Sequence, residues 1–199
     1  MDSLGYYEQN GSKYFEETAE LNMEEHLEQF VKLLPENAEV LDLGCGSGRD
    51  TLYLMDAGCY VTPMDGSSKM CSLAEIHTDL EVLHMTFEEM EFDEVFDGIW
   101  ASASLLHVPK RDMERIMRKV SDALVPGGIL YMSFQYGDGE EERNQRFYND
   151  YNEKAMKSLL KKFRELEILD IYQSEDLREG HRKWLNVLVK KEGGEEDNE

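Results

Sequence analysis

The chain has 199 residues, with 43 Asp and Glu against 21 Lys and Arg, giving a formal net charge of −22. That length suffices for one domain with a sizeable core, and the acidity argues against a broad surface for the phosphate backbone of nucleic acid. No apolar run approaches the roughly 20 residues that cross a bilayer, the opening MDSLGYYEQNG lacks a basic, apolar leader, and Cys45, Cys59 and Cys71 read as reduced thiols of a cytoplasmic protein.

Residues 12–34 place Phe15, Leu27, Phe30, Val31 and Leu34 near one helical face before Pro35 stops the pattern, which predicts one helix over 12–34. VLDL (40–43) is a first strand, and residues 51–58 continue a helix closed by Gly58. CYVTPMD (59–65) is a second strand in spite of Pro63, which has no N–H for a ladder. A helix over 67–77, strands at 80–85 and 95–102, a helix over 110–124 closed by PGG, a strand at 127–134 and a helix at 152–163 follow. LEILDIYQ (166–173) and WLNVLVKK (184–191) are two last strands with no room between them for a crossover helix. The alternation predicts a three-layer, doubly wound α/β fold: a mostly parallel seven-stranded sheet with a C-terminal antiparallel hairpin at one edge. A single domain over 1–191 and an acidic, disordered tail at 192–199 complete the expected organisation.

LDLGCGSG (41–48) ends its strand in three glycines at alternate positions. Ligands of an open parallel sheet bind beyond the carboxyl ends of its strands. Gly44, Gly46 and Gly48 let the chain turn and let a ligand approach without a Cβ in the way, although a tight loop with no ligand asks for the same residues. Neither phosphate motif fits: GxxxxGK followed by Ser or Thr is missing, and the third glycine falls one place early for GxGxxG. From about Glu36 through Lys191 the chain resembles the class I S-adenosylmethionine-dependent methyltransferases. The resemblance rests on LDLGCGSG, the acid ending the second strand in PMDGSS, the FDGIWA strand and the LVPGGILYMSF junction. A looser similarity points to small stand-alone bacterial enzymes of the tellurite-resistance type. The resemblance implies a Rossmann-like methyltransferase fold, S-adenosylmethionine as cofactor, and an N-terminal helix at about 12–34 that covers it.

It also implies roles for particular residues. Asp65, followed by Gly66, is the acid that accepts hydrogen bonds from both ribose hydroxyls. Asp42 orders the glycine loop near the methionine end, or is a structural acid bonded to loop amides. Tyr14, Cys45 and Arg49 are further cofactor positions, and Thr86 and Phe87 match the adenine-contacting segment. The chain departs from the family there, because the common Asp is missing and Glu88 is the nearest acid; Pro63 also stands where a small residue is frequent. Ala101 and Ser102 are expected beneath the sulfonium, with His107 at the mouth toward the acceptor. His107 either orients or deprotonates a nucleophile, or it caps the helix or packs beside Pro109. Methyl transfer needs little beyond in-line placement of a nucleophilic acceptor.

Arg143 and Arg146 follow the fifth strand, and Arg178, His181, Arg182 and Lys183 lie between the last two. Arg146, Tyr148 and Arg182 are the expected contacts to a small, anionic acceptor, set against the plainer reading that such cations neutralise Glu141, Glu142, Asp176 and Glu179. RNA or protein methylation, or a non-catalytic S-adenosylmethionine-binding regulatory protein, are the alternatives. No metal site is expected, since the five histidines are scattered and HExxH is absent; nor does GxSxG occur. The expected partner is a small molecule, with no nucleic acid and no membrane, and the pattern does not fix an oligomeric state.

Overall fold

The computed structural model describes residues 3–177 and 182–193. Arg178, His181 and the part of the expected tail at 194–199 lie outside the described residues. In chain order the elements are α1 (Ser3–Thr18), α2 (Glu24–Val31), β1 (Glu39–Leu43), α3 (Arg49–Asp56), β2 (Tyr60–Asp65), α4 (Ser68–Thr78), β3 (Leu83–His84) and β4 (Phe96–Ala101). Then come α5 (Lys110–Ala123), β5 (Leu124–Gln135), β6 (Glu140–Arg143), β7 (Arg146–Asn149), α6 (Glu153–Leu160), β8 (Leu166–Ser174) and β9 (Trp184–Lys191).

Seven strands form one sheet in the order β3-β2-β1-β4-β5-β9-β8. The first five run parallel, while β9 is antiparallel to both β5 and β8, so the two last strands form the edge hairpin. Alternation along the strands sends side chains to opposite faces. Leu41, Leu43, Ile99, Leu130 and Met132 pack with Met113, Ile116 and Val120 of α5 and with Met156 and Leu160 of α6. Val40, Trp100, Ile129 and Tyr131 pack on the other face with Leu27 and Phe30 of α2 and Leu54 of α3. Each such buried side chain contributes about 1.5–3 kcal/mol against leaving it in water, which fixes the strand ends that carry the site.

Four local differences from the sequence expectations have physical causes. The helix expected over 12–34 is two helices, α1 and α2. Asn22 Oδ1 accepts from Glu24 N–H at 2.8 Å, an Asx turn that competes with helical bonding. α1 also starts at Ser3, ahead of the expected residue 12, and runs through Asn10-Gly11. A Cβ on Gly11 would stand 2.7 Å from Lys69 Cγ and 3.1 Å from Met70 Sδ, so this glycine serves the close approach of α1 to α4. β3 keeps only Leu83 and His84, paired with Met64 and Asp65, the residues just past Pro63 and its missing N–H. Finally, β6 and β7 form an extra hairpin turned by Asn144 and Gln145 with φ of 49° and 65°, the left-handed pair of a two-residue turn.

Candidate active site

The site lies beyond the carboxyl ends of β1, β2 and β4, where the strand order reverses between β1 and β4. The glycine loop after β1 is hung on β2, since Gly44 N–H and Cys45 N–H both donate to Met64 O, at 2.8 and 2.9 Å. Gly44, Gly46 and Gly48 have φ of 79°, 55° and 74°. Gly48 faces away from the cavities: a Cβ there would lie 2.5 Å from Thr78 Cγ2 of α4. Cys45 is buried beside Cys71, and burial pushes its thiol up.

Asp65 ties two loops together. Its Oδ2 accepts from Gly46 N–H at 3.0 Å and its Oδ1 from Ser67 N–H at 2.9 Å. Burial raises its pKa, opposed by those two N–H groups. An ionised carboxylate offers about four acceptor sites, so each oxygen keeps a second lone pair. Asp42 is fully buried and takes the Thr51 hydroxyl at 2.6 Å; burial, with Asp50 nearby, pushes its pKa up to about 7. Arg49 grips Asp50 with Nε–H at 2.6 Å and Nη2–H at 2.9 Å, and its Nη1–H donates to Thr18 O at 3.2 Å. Trp100 Nε1–H completes Asp50 at 2.8 Å, and its indole stacks on Tyr131 at 3.9 Å between centroids.

Two cavities meet at Tyr14, Gly44, Gly46, Ser102 and Ala103. The smaller, about 110 Å³, runs over Asp42, Cys45, Arg49 and Asp50 to His26, Ser133 and Asn186. The larger, about 260 Å³, runs over Asp65, Gly66, Thr86 and Phe87 to Tyr7 and His107. Between them Ala103 adopts φ of 51°, a left-handed conformation that a non-glycine residue keeps only when its surroundings hold it. Ser133 Oγ holds it by accepting Ala103 N–H at 2.8 Å. The neighbouring Ser104 lines the larger cavity, and its Oγ is buried without a hydrogen-bond partner.

A family model described as a methyltransferase domain matches residues 40–128, the segment from β1 into β5 that carries the glycine loop and Asp65. This segment is similar to a methyltransferase domain. The cypemycin N-terminal methyltransferase of Streptomyces sp is 31% identical over 98 residues, 47% of this chain and 40% of that protein. Among solved structures, the 1,6-didemethyltoxoflavin-N1-methyltransferase of Burkholderia thailandensis, with bound 1,6-didemethyltoxoflavin and S-adenosylhomocysteine, superposes with TM-score 0.76 at 22% identity. That match covers 95% of this chain and 85% of the other. TehB from Haemophilus influenzae gives TM-score 0.70 at 18% identity, covering 92% and 67%. These structural likenesses establish the shared fold. The chain spans about half the length of the curated relatives it matches.

Eleven of the expected cofactor positions line the cavities: Tyr14, Asp42, Gly44, Cys45, Gly46, Arg49, Asp65, Gly66, Thr86, Phe87 and Ser102. Gly48 and Ala101 do not; Ala101 is buried in the sheet core. Thr86 caps the 3-10 turn Phe87–Glu89, with its N–H and hydroxyl both donating to Glu89 Oε2, at 2.8 and 2.7 Å. Glu88 lines the larger cavity and lies 3.6 Å from Arg115 Nη2.

His107 lines the larger cavity but is held on both ring nitrogens. Nδ1 lies 2.7 Å from Phe147 O and Nε2 lies 2.9 Å from Tyr7 OH. Burial, with Arg146 nearby, lowers its pKa to about 4 against the Phe147 bond. Arg146, Tyr148 and Arg182 line neither cavity. Arg182 donates to Asp150 and Glu141, both at 3.0 Å, and Arg143 donates to the same two acids. Asp150 is buried and would be costly without these partners. Arg146 sits 4.6 Å from the Tyr6 ring and 5.4 Å from the Tyr148 ring. Of the expected anion-binding pair, Arg182 thus pairs with acids and Arg146 stacks on tyrosines, and neither is among the residues lining the two cavities. Sequence reading passed over Tyr7, Ser104, Ser133 and Asn186. For Tyr7 a signal was present, since Tyr7 and Tyr14 are seven apart on one helix and their rings lie 5.0 Å apart.

Proposed function

We propose that the protein binds S-adenosylmethionine across the two cavities and transfers its methyl group to a small molecule. The observation that carries this reading is Asp65, fixed by Gly46 N–H and Ser67 N–H at the cavity edge with acceptor capacity to spare for a pair of vicinal hydroxyls. The fit extends to the loop. Space over Gly46 is walled by Tyr14, whose Cε1 lies 3.6 Å from where a Cβ would stand. Asp65 and Gly66 would hold the ribose, Thr86 and Phe87 the adenine, and Tyr14, Asp42 and Arg49 the methionine end. When bound, the sulfonium supplies an electrophilic methyl group, so the chain's own residues need only align the acceptor and exclude water.

A small acceptor fits cavities roofed by α1 better than RNA or a protein segment would. Arg49 is the one Lys or Arg among the described residues lining them, and it is bonded to Asp50 and Thr18. No helix of the described residues is long and apolar enough to cross a membrane, and we assign the protein to the cytoplasm on its unpaired cysteines. The test is calorimetric titration with S-adenosylhomocysteine. Replacing Asp65→Ala should weaken binding by roughly 1.5–3 kcal/mol, through loss of a charged acceptor for two hydroxyls. Equal affinity in the two proteins would remove Asp65 as the anchor and this reading with it.

A further inference from the structure

We propose that Tyr7, its own proton turned onto His107, accepts a hydrogen bond from the methyl acceptor, and that the acceptor is a neutral amine nitrogen carrying N–H. This rests on the methyl-transfer reading above and assigns the substrate class to the same site.

Phe147 O fixes the tautomer of His107. A carbonyl oxygen only accepts, so at 2.7 Å His107 Nδ1 must carry the hydrogen. The imidazole is neutral, since burial and Arg146 lower its pKa to about 4. Nε2 is therefore a bare lone pair, and Tyr7 OH, 2.9 Å away, is the donor. Arg146 Nη1–H takes one phenolic lone pair in a long contact of 3.4 Å. The remaining lone pair belongs to a side chain that lines the larger cavity beside His107 and Ser104. Tyr7 is thus an acceptor toward the cavity, and it favours a ligand atom that bears hydrogen. A carboxylate or thiolate offers no such hydrogen and meets a lone pair instead.

The same geometry separates nitrogen from oxygen. A hydroxyl becomes a strong nucleophile only as its proton leaves, and the base hydrogen-bonded to Tyr7 is His107, which resists protonation. A neutral amine needs no base. Its lone pair forms the N–C bond while the C–S bond breaks and that electron pair passes to sulfur. The ammonium product then loses its proton to water. Tyr7 fixes the N–H and so aims the lone pair.

The experiment uses the full-length protein, tritiated-methyl S-adenosylmethionine, and matched probes: aniline, N-methylaniline, N,N-dimethylaniline, phenol and benzoate, with benzylamine at a pH above its own pKa. Binding of each probe to the protein loaded with S-adenosylhomocysteine is followed by ligand-detected NMR. The expected results are binding and transfer for the probes with N–H, and no transfer to phenol or benzoate. Tyr7→Phe should raise KM for N–H acceptors about tenfold, with S-adenosylhomocysteine affinity retained. Label on phenol or benzoate, an unchanged KM in Tyr7→Phe, or the absence of both binding and transfer for every N–H probe while S-adenosylhomocysteine still binds, overturns the proposal. Failure of the wild type to bind S-adenosylhomocysteine instead overturns the reading of the cofactor site.

Discussion

His107 shows how burial converts an apparent catalytic residue into a fixed support. Its pKa is lowered to about 4, chiefly by burial, whereas the unfolded chain titrates near the ordinary histidine value of about 6.5. The unfolded state therefore binds the proton more readily. Stability linked to His107 is fully present above about pH 6.5 and is lost as the pH falls through about 4. Urea unfolding of the wild type and His107→Gln over this range should show the difference between them shrinking on acidification; a difference that stays flat would mean that the imidazole is not held neutral. The half of the candidate site around Asp65 and the glycine loop was legible because its residues sit where strands end: Asp65 closes β2, the glycines close β1, and local pattern places both. The half around Tyr7 was not, because Tyr7, His107 and Phe147 are brought together from positions about 100 and 40 residues apart. Nothing in the spacing of a lone histidine reveals that a carbonyl will fix its tautomer.

α1 roofs the site by packing along α4, and the contact is intimate because Gly11 lacks a side chain. Glu8 adds a polar latch, with Oε2 accepting the Ser68 hydroxyl at 3.1 Å and Oε1 accepting Lys69 N–H at 3.3 Å, at the start of α4. Replacing Gly11→Leu should push α1 outward, since something within 3 Å of the new Cβ must shift. Hydrogen exchange over residues 3–18 is expected to accelerate and S-adenosylhomocysteine to bind more weakly, with protection of β1, β4 and β5 unchanged. Unchanged exchange in α1 would show that Lys69 and Met70 simply swing aside. The strands and helices of the sheet were readable from periodicity because each buries one face. The β6–β7 hairpin escaped because its first strand is EEER, acids and a base with no apolar alternation, and its partners are side chains of the site. Pro63 was readable as an obstacle, yet its effect fell on β3, shortened to two residues, and left β2 intact.

At the scale of the molecule, 43 acids against 21 Lys and Arg leave strong self-repulsion. Raising NaCl from about 10 mM to about 0.3 M shortens the Debye length from roughly 30 Å to below 8 Å, so the melting temperature should climb with salt. A fall would place the net contribution in attractive surface pairs such as Lys162 with Glu114. The sheet topology adds a constraint in time. β9 sits between β5 and β8, although both precede it in the chain. β1, β2 and β4 can find their parallel neighbours as translation proceeds, but the flank of β5 from Ile129 to Gln135 pairs only with β9. While a ribosome still holds residues 184–191 in its exit tunnel, that flank is an open row of N–H and C=O groups. A translational pause at this point is the interval in which the nascent chain most needs a chaperone.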